Sequence, residues 1–198
     1  RWCQKMEEEA ALVIPLCFAV DQSSSMTNPV QDAPGTTLYQ AQVRAAAQSI
    51  KEIYATCTKE HPRLQFNVDI HTFASTHGHA TKFTLESSAS DAENDKQLDD
   101  ATNLMLAQTP NGGTAYYDAG VQCIRRVKRC VDKLNEDTGI KRKGYVIIVT
   151  DGFDTASVTN TRADLLRVTK QAQGAVAVVT MAADDMQIDT EMQQIAAT

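Results

Sequence analysis

A chain of 198 residues, 42% hydrophobic and 22% charged, is long enough to bury one sizeable core and is ordinary in composition for a globular protein. Its net charge of -6 argues against nucleic acid as the main partner, because phosphate binding needs a basic face. No apolar run approaches the ~20 residues of a membrane-spanning helix, so membrane insertion is not expected.

Taken in chain order, residues 12–20 are apolar without alternation and predict a strand buried on both faces. The polar cluster DQSSSM, residues 21–26, follows at once. Residues 37–57 predict a helix capped by Thr36 or Thr37, with Leu38, Ala41, Ala45, Ile50, Ile53 and Tyr54 on its apolar face. Residues 64–73 alternate apolar and polar side chains as a strand does, and THGH at 76–79 predicts a tight turn into an antiparallel edge strand at 80–85. The acidic stretch 88–100 predicts a loop leading into a short helix that ends near Leu106, and QTPNGGT at 108–114 is a loop.

Residues 115–134 predict a helix with Val121, Ile124, Val127 and Val131 inward and a basic outer face. GYVIIVT at 144–150 is a second fully buried strand, again followed by an aspartate. A helix at 161–173 stopped by Gly174, a third buried strand at 175–181 and a further helix at 190–197 complete the pattern. Strands alternating with helices predict an α/β fold: a Rossmann-like, doubly wound, mostly parallel sheet with one antiparallel edge strand and helices on both faces. One domain over residues 1–198 is expected.

Five cysteines leave at least one thiol unpaired in a monomer. Cys123 and Cys130, on one predicted helix, stand ~10.5 Å apart, beyond the ~7 Å reach of a disulfide. With no C-x-x-C and no glycosylation sequon, free thiols and an intracellular compartment are expected, with an extracellular one as the alternative. The start at Arg1 without an initiator Met is read as a fragment or processed product. His71, His77 and His79 have no cysteine or carboxylate at ligand spacing, and are read as turn histidines rather than a zinc site. RRVKR at 125–129 and KRK at 141–143 are read as a solvated basic face.

In open α/β sheets, ligands bind outside the carboxyl ends of the strands. Asp21, Ser23 and Ser25 follow the first strand, Asp151 follows the second, and Thr114 ends the Gly-rich loop. In an extended loop, side chains at i, i+2 and i+4 point the same way, so the first three are expected to converge. Two carboxylates and three hydroxyls form an all-oxygen set that suits a hard divalent cation. The carboxylates are expected on the rim, outside the core. Asp154 is either a tuning group for this site or a surface carboxylate.

DQSSSM resembles the D-x-S-x-S motif of the von Willebrand factor type A domain, known in integrins as the I domain. NGGTAYYDAG resembles that family's threonine loop and following helix, and VIIVTDGFD its second aspartate segment, in the same order and over residues 10–182. Ser24 stands where the family usually has Gly, and the family's last strand and C-terminal helix are not visible after Ala197. The resemblance implies a metal-ion-dependent adhesion site at Asp21, Ser23, Ser25, Thr114 and Asp151. It also implies that the hydroxyls touch the metal while the aspartates act mainly through water. Mg2+ is the implied ion, with Mn2+ or Ca2+ as alternatives.

The implied function is metal-dependent protein–protein interaction, in adhesion or complex assembly, through a partner's Asp or Glu. A second reading is a subunit of an ATPase-coupled assembly, such as a chelatase-type complex. Enzyme signatures are absent from the sequence, and the isolated domain is expected to be monomeric.

Overall fold

The computed structural model describes residues 12–31, 33–152 and 154–182, with the backbone alone for His79 and Ala182. The helix expected at 190–197 lies outside the described residues. The described elements are β1 (Leu12–Asp21), a single 3-10 turn (Ser24–Thr27), β2 (Pro29–Val30), β3 (Ala33–Thr37) and α1 (Leu38–Glu60). They continue with β4 (Leu64–Phe73), β5 (His77–Glu86), α2 (Asp91–Leu106), α3 (Tyr116–Thr138), β6 (Gly144–Thr150), α4 (Arg162–Ala172) and β7 (Val176–Ala182).

The main sheet runs β5-β4-β1-β6-β7. Its β4, β1, β6 and β7 are parallel, and β5 joins the edge antiparallel to β4. The α/β expectation holds, including the antiparallel edge. Because β1 is central and the chain passes to β4 on one side and to β6 on the other, the switch in strand order falls beside the carboxyl end of β1. That is where a doubly wound sheet opens a crevice for a ligand.

Alternate residues of β1 feed two cores. Cys17 and Ala19 pack with Ile148, Ile124 and Leu165 under α3 and α4. Leu16, Phe18 and Val20 pack with Val43, Ile50, Leu98 and Met105 under α1 and α2. A strand covered on both faces has no polar side to show, which is why residues 12–20 read as a continuous apolar run. Each wholly buried Phe, Ile or Leu contributes about 2 kcal/mol by leaving water. Gly144 lets α3 close on β6: a Cβ there would stand 2.3 Å from Val127 Cγ1 and 2.9 Å from Val131 Cγ2.

Several local expectations are corrected. The stretch 88–100 is mostly helix, because Ser90 and Glu93 form a reciprocal capping box that starts α2 at Asp91. His77 and His79 lie in β5, and the turn falls at 74–76. On α1 the buried face is Tyr39, Val43, Ala46 and Ile50; Ala45 and Ile53 face solvent. β7 is not buried throughout: Val179 and Met181 are 46% and 44% exposed, as an edge position in the described sheet allows. The small β2–β3 ribbon was not foreseen from the sequence.

Candidate metal centre at the strand ends

β1 ends in Asp21 and β6 in Thr150, side by side in the sheet, and three loops meet above them. Gln22 N–H donates to Phe73 O, Asn111 N–H to Gln22 O, and Ser24 N–H to Gly112 O, at 2.7, 2.8 and 2.9 Å. The Gly-rich loop is thereby fastened to the DQSSSM loop by backbone bonds, and Gln22 Nε2 adds a bond to Thr109 O at 3.3 Å. Gly112 sits at φ +78°, a conformation that favours glycine, and a Cβ on it would come within 2.5 Å of Ser75 Oγ. That same Ser75 Oγ accepts from Gly113 N–H at 2.8 Å and holds the turn in place.

Four of the five expected residues form one hydrogen-bonded chain. Asp21 Oδ1 accepts from Ser23 N–H at 2.8 Å, Ser23 Oγ and Ser25 Oγ are 3.0 Å apart, and Ser25 Oγ donates to Asp151 Oδ1 at 2.9 Å. Thr114, 4% exposed, borders the turn that carries Asp151: its Oγ1 lies 3.8 Å from the point a Cβ on Gly152 would occupy. Thr114 is positioned through its backbone, with N–H bonded to Thr155 Oγ1 and its carbonyl accepting from Thr155 and Ala156 N–H. Ser24 is exposed, turned away from this chain.

The convergence arises differently from the sequence expectation. The loop is not extended; the 3-10 turn at Ser24–Thr27 folds Ser25 back toward Ser23. Nor do both aspartates sit on the rim. Asp21 is wholly buried and forms the floor, Asp151 is half-buried and Ser25 exposed. Burial pushes the Asp21 carboxyl above its ordinary pKa; hydrogen bonds from Thr150 and Ser23 pull the other way, and the Asp151 charge adds to the rise. Two carboxylates drawn together under two hydroxyls make a site whose charge a cation would relieve.

Thr150 is the member of this cluster that the sequence reading missed. Its hydroxyl donates to Asp21 Oδ2 at 2.6 Å and accepts from Gly152 N–H at 3.2 Å, linking the two aspartate segments. A threonine closing a strand looks like any β-former, so composition carried no signal for this role. Asp154 is half-buried and no free surface carboxylate. Its carboxylate accepts from Tyr117 N–H at 2.8 Å and from Ser157 N–H at 3.0 Å, pinning the loop after β6 to the start of α3. Asp118 extends that seam, accepting from the backbone N–H groups of Val158, Thr159 and Asn160.

The donor set fits a small hard cation. Two oxygens in adjacent positions of an octahedron with ~2.1 Å bonds lie ~3.0 Å apart. The Ser23–Ser25 hydroxyl separation has that value, 3.0 Å.

Searches against protein families and against curated proteins found no match. Solved structures do match. A von Willebrand factor type A structure from Catenulispora acidiphila superposes with a TM-score of 0.60 at 18% identity, covering 94% of this chain and 37% of that one. The PilB minor pilin of Streptococcus sanguinis gives a TM-score of 0.56 at 9% identity, covering 96% and 63%. Its D319A mutant gives 0.57 at 10% identity, with the same coverage. The chain thus spans less than two thirds of the length of each of these structures. At such identities the match speaks for the fold alone, and together with the strand order and the paired cores it makes this chain a domain with the von Willebrand factor type A fold.

Proposed function

We propose that this domain is a metal-dependent protein-interaction module whose strand-end site binds one Mg2+ or Mn2+ and, through it, an Asp or Glu of a protein partner. The observation that carries the reading is the Ser23–Ser25 hydroxyl pair at an octahedral edge distance, flanked by Asp21 below and Asp151 beside it. Ser23, Ser25 and Thr114 would hold the ion, and Asp21 and Asp151 would orient hydroxyls and water around it. Neutral hydroxyls leave a bound dication most of its charge, and a carboxylate is the commonest protein anion able to answer it. This chain's own residues supply position: the buried floor at Asp21 fixes Ser23, and Thr150, bonded to both Asp21 and Gly152, ties the Asp151 turn to that floor. Among the described residues, no helix is long and apolar enough to cross a membrane.

Calorimetric titration of Mn2+ into wild type, Ser23→Ala and Thr114→Ala tests the site. One ion per chain in wild type, weakened at least tenfold in both variants, is expected. Equal binding in all three would overturn the assignment. A peptide bearing a single Glu, and its Gln counterpart, then test the partner chemistry. Mg2+-dependent binding of the Glu peptide that EDTA abolishes is expected, and equal binding of the Gln peptide would contradict the carboxylate role.

A further inference from the structure

A second cluster of metal-binding side chains lies in the core between the sheet and α3. Cys17 of β1, His71 of β4 and Cys123 of α3 are all buried, and one ligand atom from each lies within 4.8 Å of the others. His77 of β5 stands beside them, with Nε2 at 3.7 Å from Cys123 Sγ and its ring stacked on that of His71 at 4.7 Å. His77 Nδ1 is 2.9 Å from Gln122 Oε1. An amide oxygen only accepts, so Nδ1 carries the hydrogen and the bare Nε2 faces the sulfur. Asp69 Oδ1 lies 3.2 Å from His71 Nε2, and Asp69 is itself paired with Arg126. A carboxylate behind an imidazole and an amide oxygen behind another are the supports that metal-binding histidines have.

We propose that Cys17, His71 and Cys123, completed by His77, form a buried Zn2+ site distinct from the strand-end site. Bond lengths of ~2.3 Å to sulfur and ~2.0 Å to nitrogen in a tetrahedron put the two sulfurs ~3.8 Å apart and sulfur and nitrogen ~3.6 Å apart. Cys123 Sγ and His77 Nε2, 3.7 Å apart, already have that spacing, and the ligand atoms of Cys17, His71 and Cys123, within 4.8 Å of one another, need only draw in by side-chain rotation. Stacked rings cannot give both nitrogens to one tetrahedral ion, so His77 must tilt off His71 as it closes the fourth position. Each cysteine binds as thiolate and gives its proton to water; two thiolates and two neutral imidazoles then leave the centre uncharged, as burial requires.

A buried thiol usually serves as a small hydrophobe. Two thiols against two histidines, from four separate elements, are not explained that way. Access exists: a cavity of about 520 Å3 reaches His71 and His77 from solvent, between Arg125, Arg126 and Arg129. This basic mouth repels a free dication, so uptake by the folded chain will be slow.

The test is a Co2+ titration of the reduced wild-type chain with Mg2+ in excess, followed by absorbance. One Co2+ per chain is expected, with the strong visible bands of a tetrahedral ion and a near-ultraviolet thiolate band, both erased by one equivalent of Zn2+. The double variant Cys17→Ala/Cys123→Ala loses both; His77→Gln keeps the thiolate band but binds about tenfold more weakly. Ser23→Ala leaves the spectrum unchanged, which separates this site from the strand-end one. The wild-type titration needs no variant to fold, and circular dichroism checks those that are used. Absence of these bands in reduced wild type, or their survival in the double variant, would overturn the proposal. So would non-reducing peptide mapping of the purified chain that finds Cys17 and Cys123 joined in a disulfide.

Discussion

Thr150→Val removes one hydroxyl and keeps the shape of the side chain, and its effect can be worked out atom by atom. The hydroxyl has one proton and two neighbours able to take it: Asp21 Oδ2 at 2.6 Å and Gly152 O at 3.2 Å. The shorter contact, to a carboxylate, takes it. Valine leaves Asp21, wholly buried, with the Ser23 N–H bond on its other oxygen. A hydrogen bond to a charged group is worth about 1.5–3 kcal/mol, and the extra methyl group returns less than 1 kcal/mol by burial. Gly152 N–H also loses its acceptor, so the net cost is about 2–3 kcal/mol, or roughly 5–10 °C in Tm for a domain of this size. Mn2+ affinity falls as well, by about tenfold or more, because the group that orients the floor of the site is gone. Urea unfolding and Mn2+ calorimetry read the two losses, and Thr150→Ser, which retains the hydroxyl, should recover most of both. Wild-type stability and wild-type affinity in Thr150→Val would refute the reasoning that this bond holds the site together.

Asp118 gives a pH test. Burial works to raise its pKa, but hydrogen bonds from Val158, Thr159 and Asn160 outweigh that and hold the carboxylate below its ordinary range. A depressed folded pKa contributes stability that is complete above the unfolded value of about 3.9 and lost as pH falls through the folded one. Asp118→Asn should therefore cost about 2 kcal/mol at pH 7 and much less near pH 3, by urea unfolding; an equal cost at both would count against the charge as the cause. Gly144→Ala should destabilise by about 1–3 kcal/mol or more, since its Cβ meets two valines of α3 and the carbonyl of Pro15. Thermal unfolding checks it, and Gly144→Ala/Val127→Ala should recover part of the loss.

What the sequence made legible follows from how local each signal was. β4 and β6 were read with the bounds they have, because their apolar patterns are set by the sheet itself. The convergence of Asp21, Ser23, Ser25 and Asp151 was legible because hydroxyl and carboxylate clusters at strand ends have few structural uses. The start of α2 was misread although its signal, Ser90 three residues before Glu93, was present; the acidic composition around it spoke louder. On α1 the apolar positions were spread too widely to choose a face, and packing selected Tyr39 and Val43 over Ile53. The histidines were set aside for want of a neighbouring cysteine. The fold supplies two, from 54 residues before His71 and 52 after it. Side chains that meet only across the sheet leave no trace in spacing.

The backbone bonds between Gln22 and Asn111 and between Ser24 and Gly112 join segments almost ninety residues apart along the chain. Apart from the 3-10 turn at Ser24–Thr27, neither segment belongs to a helix or a long strand, so each leans on the other. Their amide hydrogens should therefore exchange with solvent as a pair, released by a single local opening rather than by separate fraying. The rate of that opening sets how quickly the rim can admit or discharge anything resting on it. A ligand bound across both loops would slow the two amides by the same factor, giving a label-free measure of occupancy at the strand ends.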